Sequence, residues 1–464
     1  MDAGGIGHPS LDESRSRSGF SSHTLRKISQ LGLLIALLCA GSMWFYVQRV
    51  LIPYEKADAA THERPRGNLS DLYPRWLGAR ELLLHHRNPY SNDITGEIQK
   101  GYYGRVLDPA RPNDPRDEQG FAYPLYVVLL LAPLIGFPFH AVHIFFYWLL
   151  AGLTAASVLL WLGVIQWRLP PLATAAAVIF ALGSFPAVQG IKLQQLSLLV
   201  AALLAGSAAC VASGFLFCGG VLLGLAMIKP QLAWPLVAWF AVWAVSDWRV
   251  RRKLVVGFGM VMVLLLGGAE IILPGWWRMF AGAVGKYHRY TQNQSVLDEL
   301  VPWGYSGKVL AAVAVLAGAF FLWKQRDKPA NTADFGIATA LVMALTVMVV
   351  PMYAPYNQVL VLPAILALAR DRRFFLSRPR GVRFLYFVAV LALTWQWIAS
   401  LSLSAAYFAS PTWALARWWW PFVATFAFPV LTFLLIFLEV QALGAGRFSK
   451  RETGIPTKAL PAGA

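Results

Sequence analysis

Lys229, in MIKPQ (227–231), is a cation at the mouth of an apolar run, where it either snorkels to water or neutralises an anion. Gln194 and Gln195 in KLQQLS (192–197), and Tyr356, Asn357 and Gln358 in PMYAPYNQ (351–358), are uncharged hydrogen-bonding groups at the ends of apolar runs. They suit a hydroxyl-rich ligand, and they equally suit backbone groups left free at such ends. Asp71 opens DLYPRWLGARELLLHHRNPY (71–90) and fits two ordinary roles, capping a helix start or pairing with Arg75 one turn on. If 71–85 is helical, Leu72, Tyr73, Trp76, Leu77, Ala79, Leu83 and Leu84 share one face. Asp71, Arg75, Gly78, Glu81 and His85 fall on the other, as in an amphipathic helix lying on a membrane.

The remaining polar groups divide the same way. The adjacent His85 and His86 lack the spacing that puts two metal ligands on one helix face, and Asn88-Pro-Tyr90 reads as the turn that ends the helix, with Tyr90 at the interface. Glu270, four residues before Pro274, suits either a proton or sugar partner or a simple reach to the interface. The stretch 274–306 mixes aromatics with Arg278, Lys286, His288 and Arg289, as an interfacial helix meeting phosphate or sugar would, or an aromatic belt with anchoring cations. There is no G-x-x-x-x-G-K-[ST], no H-E-x-x-H and no Asp-x-Asp pair, so nucleotide-driven transport, zinc proteolysis and metal-held sugar nucleotides lose support. No cofactor and no metal site is expected.

The elements that must position these residues lie in a membrane. The 464 residues are 57% hydrophobic and 14% charged, with a mean hydropathy of +0.53, and apolar runs near bilayer length recur from 31 to 440. The first run follows a long polar segment and precedes no small-residue cleavage site, so it reads as a retained helix. The net charge of +17 sits in short clusters between apolar runs, the pattern of cytoplasmic loops and not of nucleic-acid binding. Cys39, Cys210 and Cys218 all fall within apolar runs and read as small core residues.

Basic clusters fix the inner face: Arg15 to Lys27, DWRVRRK (247–253), KQRDK (324–328), RDRRFFLSRPRGVR (370–383) and GRFSKR (446–451). Parity then requires that one of the apolar runs between residues 121 and 246 does not cross. The run 121–138, short and holding three prolines, is the weakest and reads as re-entrant or interfacial. The expectation is an all-α polytopic fold of about twelve transmembrane helices with both termini inside. Residues 1–28 form a disordered cytoplasmic start, 29–445 the membrane domain and 446–464 a cytoplasmic tail, with extracytoplasmic loops at 53–120 and 274–306. The five polar motifs emerge on the outer face.

In that order, DLYPRWLGARELLLHHRNPY, YPL at 123, KLQQLSLL, LGLAMIKPQLAWPL and PMYAPYNQVLVLP resemble the GT-C polyprenyl-phosphate-sugar glycosyltransferases, and within them glycosyltransferase family 87, which includes phosphatidylinositol-mannoside mannosyltransferases. The likeness covers roughly residues 30–370, with Tyr-Pro-Leu where the family has Tyr-Pro-Pro and Leu-Gln-Gln where it has Gly-Gln. It implies the GT-C fold, a site at the outer surface of the plasma (inner) membrane, and Asp71 as general base toward an acceptor hydroxyl. It further implies a polyprenyl-phosphate-sugar donor and a lipid- or glycan-linked acceptor, with the leaving phosphate met by Lys229, Arg278, Lys286 or Arg289. Arg75, Tyr123, Gln194, Gln195, Tyr356, Asn357 and Gln358 are the expected substrate-binding groups. A transporter or flippase would instead need polar residues along a mid-membrane path, and the helix interiors are almost free of charge. A scaffold would predict no cost on losing Asp71.

Overall fold

The computed structural model describes residues 22–66, 70–291, 294–351 and 353–444, and every regular element among them is helical. Most of the segment 1–28, expected to be disordered, and all of the tail 446–464 lie outside the described residues, while 22–28 open the first helix.

The chain begins with α1 (Ser22–Tyr46), which continues through a π-helical turn at Val47–Leu51 into α2 (Ile52–Thr61). The polar segment that follows carries α3 (Tyr73–His85) and α4 (Asn92–Tyr103) and closes on α5 (Val127–Leu131) with a 3₁₀ turn, Ala132–Leu134. Next come α6 (Phe139–Val164), α7 (Pro171–Leu182), α8 (Phe185–Lys192), α9 (Leu196–Ala212), α10 (Leu216–Leu225) with a 3₁₀ turn at Ala226–Ile228, and α11 (Pro230–Ser246). After α12 (Trp248–Ile272) the chain forms α13 (Trp276–Thr291), α14 (Val296–Leu300), α15 (Ser306–Gln325) and α16 (Ala333–Val349). A 3₁₀ stretch, Pro355–Val361, leads to α17 (Leu362–Arg370), α18 (Arg372–Leu376), α19 (Arg380–Ala409), α20 (Pro411–Ala416) and α21 (Ala427–Gly444).

Six helical segments are long and apolar enough to cross a membrane: Lys27–Thr61, Phe139–Val164, Trp248–Ile272, Ser306–Gln325, Arg380–Ala409 and Pro411–Leu443. A seventh appears if α7 and α8, bent by 59° at their junction, count as one. Twelve were expected from hydropathy; the other apolar runs form shorter helices. Every residue of α16 from Phe335 to Met348 is buried inside the protein, and at 17 residues the helix is just short of an unstrained span. The run at 358–369 yields only the short α17 after a 3₁₀ stretch, and α9 and α10 are likewise short. The prolines of 121–138 limit it to α5 and one 3₁₀ turn, too short to span about 30 Å of hydrocarbon. Cys218 is exposed on its helix, so it is not the core residue expected.

Where helices cross closely, glycine makes the contact possible. A side chain on Gly220 of α10 would meet the Leu254 carbonyl of α12, and one on Gly257 of α12 would meet the Phe217 carbonyl of α10. The helix ends sort into two sets. At one end Trp243 Nε1 donates to the Lys328 carbonyl at 3.0 Å, Arg251 Nη1 donates to the Arg326 carbonyl at 2.9 Å, and Arg370 Nη1 donates to the Ile165 carbonyl. Gln166, next to Ile165, donates to the Asn331 carbonyl, so the clusters 247–253, 324–328 and 370–378 share that end. Asp71, Tyr123, Gln195, Lys229 and Tyr356 gather at the other.

Candidate active site

Asp71 lies in the turn before α3, whose N-cap is Leu72 with no side-chain cap. Its carboxylate performs neither ordinary role. Arg75 Nη1 donates to the Asp71 carbonyl and not to the carboxylate, while Oδ1 accepts from Tyr102 Oη at 3.2 Å and Oδ2 from Gln195 Nε2. The Asp71 N–H donates to the Leu193 carbonyl at 3.1 Å, stitching this turn to the α8–α9 junction. Gln194 adopts φ 46° there, a left-handed bend that closes α8 and delivers Gln195 toward Asp71.

A chain of hydrogen bonds leads on from the carboxylate. Lys229 Nζ donates to Gln195 Oε1 at 3.0 Å and to Ser197 Oγ at 2.8 Å, and Ser197 Oγ donates to Asn357 Oδ1 at 2.7 Å. Lys229 occupies the break before Pro230, where the chain leaves the 3₁₀ turn at φ −124°, and Tyr126 Oη fixes that turn by donating to the Met227 carbonyl at 2.7 Å. The Lys229 ammonium lies 5.7 Å from the Tyr123 ring centre and 5.4 Å from that of Tyr356, and the Arg75 guanidinium 4.4 Å from Tyr123. Burial alone would push the Tyr123 phenol up, but Arg75 and Lys229 together hold it below its ordinary value. Arg75 stays charged despite burial, because Tyr123 and Asp71 raise its pKa.

These groups line a cavity of about 580 Å³ with Asp71, Arg75, Tyr123, Gln195, Lys229, Tyr356 and Asn357 on its wall. Lys286, Tyr287 and His288 of α13 also line it. Burial and the charge of Asp117 push the Tyr287 phenol up. Four expected site residues are elsewhere. Gln194 is buried and donates to the Ile191 carbonyl at 2.7 Å; Gln358 donates to the Thr425 carbonyl at 2.5 Å and to Tyr353 Oη at 3.0 Å. Arg278 is exposed with its guanidinium 4.9 Å from the Trp277 ring, and Arg289 is exposed as well. Glu270 accepts from the Gly275 N–H at 2.8 Å, a helix-end contact and not a cavity group.

Sequence reasoning missed Tyr102 and Ser197 of the hydrogen-bonded chain and Asp117 and Tyr287 of the cavity wall. Tyr102 lies in GYYG (101–104), a stretch without charge or periodicity, and its flanking glycines were the only local signal. Ser197 was inside KLQQLS but reads as a small helix residue. The motif 71–90 also differs from expectation. Gly78 and Glu81 do not face water: Phe121 covers Gly78, and Glu81 is buried and accepts from Arg87 Nη1 at 2.9 Å. Asn88 Oδ1 does form the expected turn by accepting from the Tyr90 N–H at 3.0 Å, but Tyr90 Oη turns inward and donates to the Tyr123 carbonyl at 2.7 Å.

Fold and site together define a polytopic α-helical membrane protein with a cavity at one end lined by Asp71, Asp117 and Glu118 and by the cations Arg75, Lys229 and Lys286. Residues 121–351 match glycosyltransferase family 87, a match that implies a membrane glycosyltransferase. No curated protein and no solved structure matches the chain. The matched segment contains Tyr123, Gln195 and Lys229; Asp71 and Arg75 precede it.

Proposed function

We propose that this protein transfers a sugar, a mannose-like hexose or a pentose, from a polyprenyl-phosphate donor to a hydroxyl of a lipid- or glycan-linked acceptor. The observation that carries the reading is the Asp71 carboxylate on the same cavity wall as Lys229, with one amide, Gln195, bridging the two. Asp71 takes the proton from the acceptor hydroxyl as its oxygen bonds to the anomeric carbon. The bond from that carbon to the donor phosphate breaks, and the lipid phosphate leaves with its charge held by Lys229 and Arg75, neither of which pairs with a carboxylate among the described residues. A single attack from the face opposite the phosphate inverts the anomeric centre. Two cations of the chain supply this charge stabilisation, so the reaction needs no metal. Tyr123, Tyr356 and Asn357 contact the substrates, Lys286 reaches the cavity rim, and Arg278 and Arg289 serve the membrane surface. The basic clusters at the opposite end support a cytoplasmic location for that end and for both termini, hence an extracytoplasmic site in the plasma (inner) membrane.

The test is sugar transfer by purified protein in nanodiscs, offered a panel of radiolabelled polyprenyl-phosphate sugars with membrane lipid extract as acceptor. Asp71→Asn keeps the size of the side chain but takes no proton, so turnover falls about a hundredfold or more while donor binding survives. Asp71→Glu rescues poorly, because one methylene displaces the carboxylate by about an ångström. Near-wild-type turnover in Asp71→Asn refutes the base.

A further inference from the structure

We infer that Tyr102 and Gln195 are positioning residues that hold the Asp71 carboxylate from both sides in its reactive orientation, an inference that rests on Asp71 being the base. Each oxygen of the carboxylate receives one donor, Tyr102 Oη on Oδ1 and Gln195 Nε2 on Oδ2. A carboxylate offers about four lone-pair sites, so two stay open toward the cavity and an acceptor hydroxyl. Without these two bonds nothing in the turn fixes the side chain, because Asp71 caps no helix and pairs with no arginine through its carboxylate.

Both arms of the clamp are rigidly mounted. Tyr102 is the penultimate residue of α4, a helix capped by the Ser91 hydroxyl and ended by Gly104 at φ 80°. A side chain on Gly101 would collide with the Tyr73 hydroxyl, so glycine lets α4 lie directly on the start of α3. Arg87 braces the same pair of helices, donating to Glu81 of α3 at 2.9 Å and to Glu97 of α4 at 2.6 Å. Gln99 adds a bond to the Glu118 carbonyl at 3.0 Å. The phenol of Tyr102 is pushed up by burial and then by the charge of Asp71, so it remains a donor across any working pH. On the other arm, the Gln195 oxygen is taken by Lys229 and one N–H by Asp71. That amide fixes the distance from base to phosphate seat, a role distinct from binding the substrate.

The experiment compares wild type, Asp71→Asn, Tyr102→Phe and Gln195→Met, with radiolabelled polyprenyl-phosphate mannose and its pentose counterpart as donors. Tyr102→Phe keeps the ring and deletes one hydroxyl. Turnover per folded molecule falls about tenfold or more, the KM for donor stays within about twofold, and the melting temperature hardly moves. Gln195→Met, similar in length, lowers turnover likewise and also weakens donor binding through Lys229. A merely structural Tyr102 gives the opposite split, a lower melting temperature with normal turnover per folded molecule, and that result overturns the clamp. Wild-type turnover in both clamp variants with an inactive Asp71→Asn discards the clamp and keeps the base; an active Asp71→Asn discards the reading beneath both.

Discussion

Lys229 and Asp71 illustrate how little a residue type says without its neighbours. A lysine at a helix mouth ordinarily snorkels, yet Lys229 is 6% exposed and its ammonium faces Gln195, Ser197 and the Tyr123 phenol, with no carboxylate in ion-pair contact among the described residues. A buried charge without a counter-ion costs folding free energy and attracts an anion. Lys229→Ala should therefore weaken binding of a polyprenyl-phosphate donor about tenfold or more with no loss of folded protein, and Lys229→Arg should recover part of it. Equilibrium binding in nanodiscs checks this, and unchanged donor affinity in Lys229→Ala returns the residue to a structural role. Asp71 is a plausible cap by sequence and is none in the fold, because Tyr102 and Gln195 have claimed its oxygens.

Among the elements, the polar segment between α2 and α6 decides whether the cavity has a working wall. Its helices α3 and α4 lie against each other through Gly101 and Tyr73, so Gly101→Ala should shift α4 and withdraw Tyr102 from Asp71. Sugar transfer should then fall at least as far as in Tyr102→Phe, while the membrane-spanning helices keep their melting behaviour; equal activity in wild type and Gly101→Ala would show that α4 has room to adjust. The loop after α4 is tied by Arg105, which donates to Asp114 at 2.5 and 2.7 Å, and by the Asp108 N–H, which donates at 2.8 Å. These bonds, Arg105 first, hold the Asp114 carboxyl down at about 2 from its ordinary 3.8. A lowered carboxyl pKa contributes stability that is complete above the unfolded value and lost as pH falls through the folded one. Residues 105–114 should thus resist proteolysis at about pH 5 and become cleavable toward about pH 2, and Arg105→Gln should move that onset upward. An onset unaffected by Arg105→Gln would mean that other contacts hold the loop.

At the scale of the molecule, charge and polarity are divided between the two ends of the helices. The basic clusters at 247–253, 324–328 and 370–378 meet at one end and the cavity opens at the other. In a cysteine-free background, cysteines at Lys56 and His288 should react with an impermeant maleimide from outside, and those at Val250 and Leu376 only after permeabilisation. External labelling at Val250 would invert the assignment of faces. Hydropathy and charge clustering are local properties, so the sequence alone determined an all-helical membrane chain with its polar motifs on the side opposite its basic loops. Gln195, Lys229, Tyr356 and Asn357 stood out because polar residues at the ends of apolar runs are conspicuous, whereas Asp71 and Tyr123 were singled out by the family resemblance. The number of long spans was not legible, since hydropathy does not show where a helix stops: α9, α11 and α16 have 17 residues each. Nor was the site's wiring: the Asp71–Gln195–Lys229 chain joins residues 124 and 34 positions apart. Only the folding of α3 and α4 onto the α8–α9 junction, driven by burial of apolar surface that no local pattern encodes, decided which donors hold the two oxygens of Asp71.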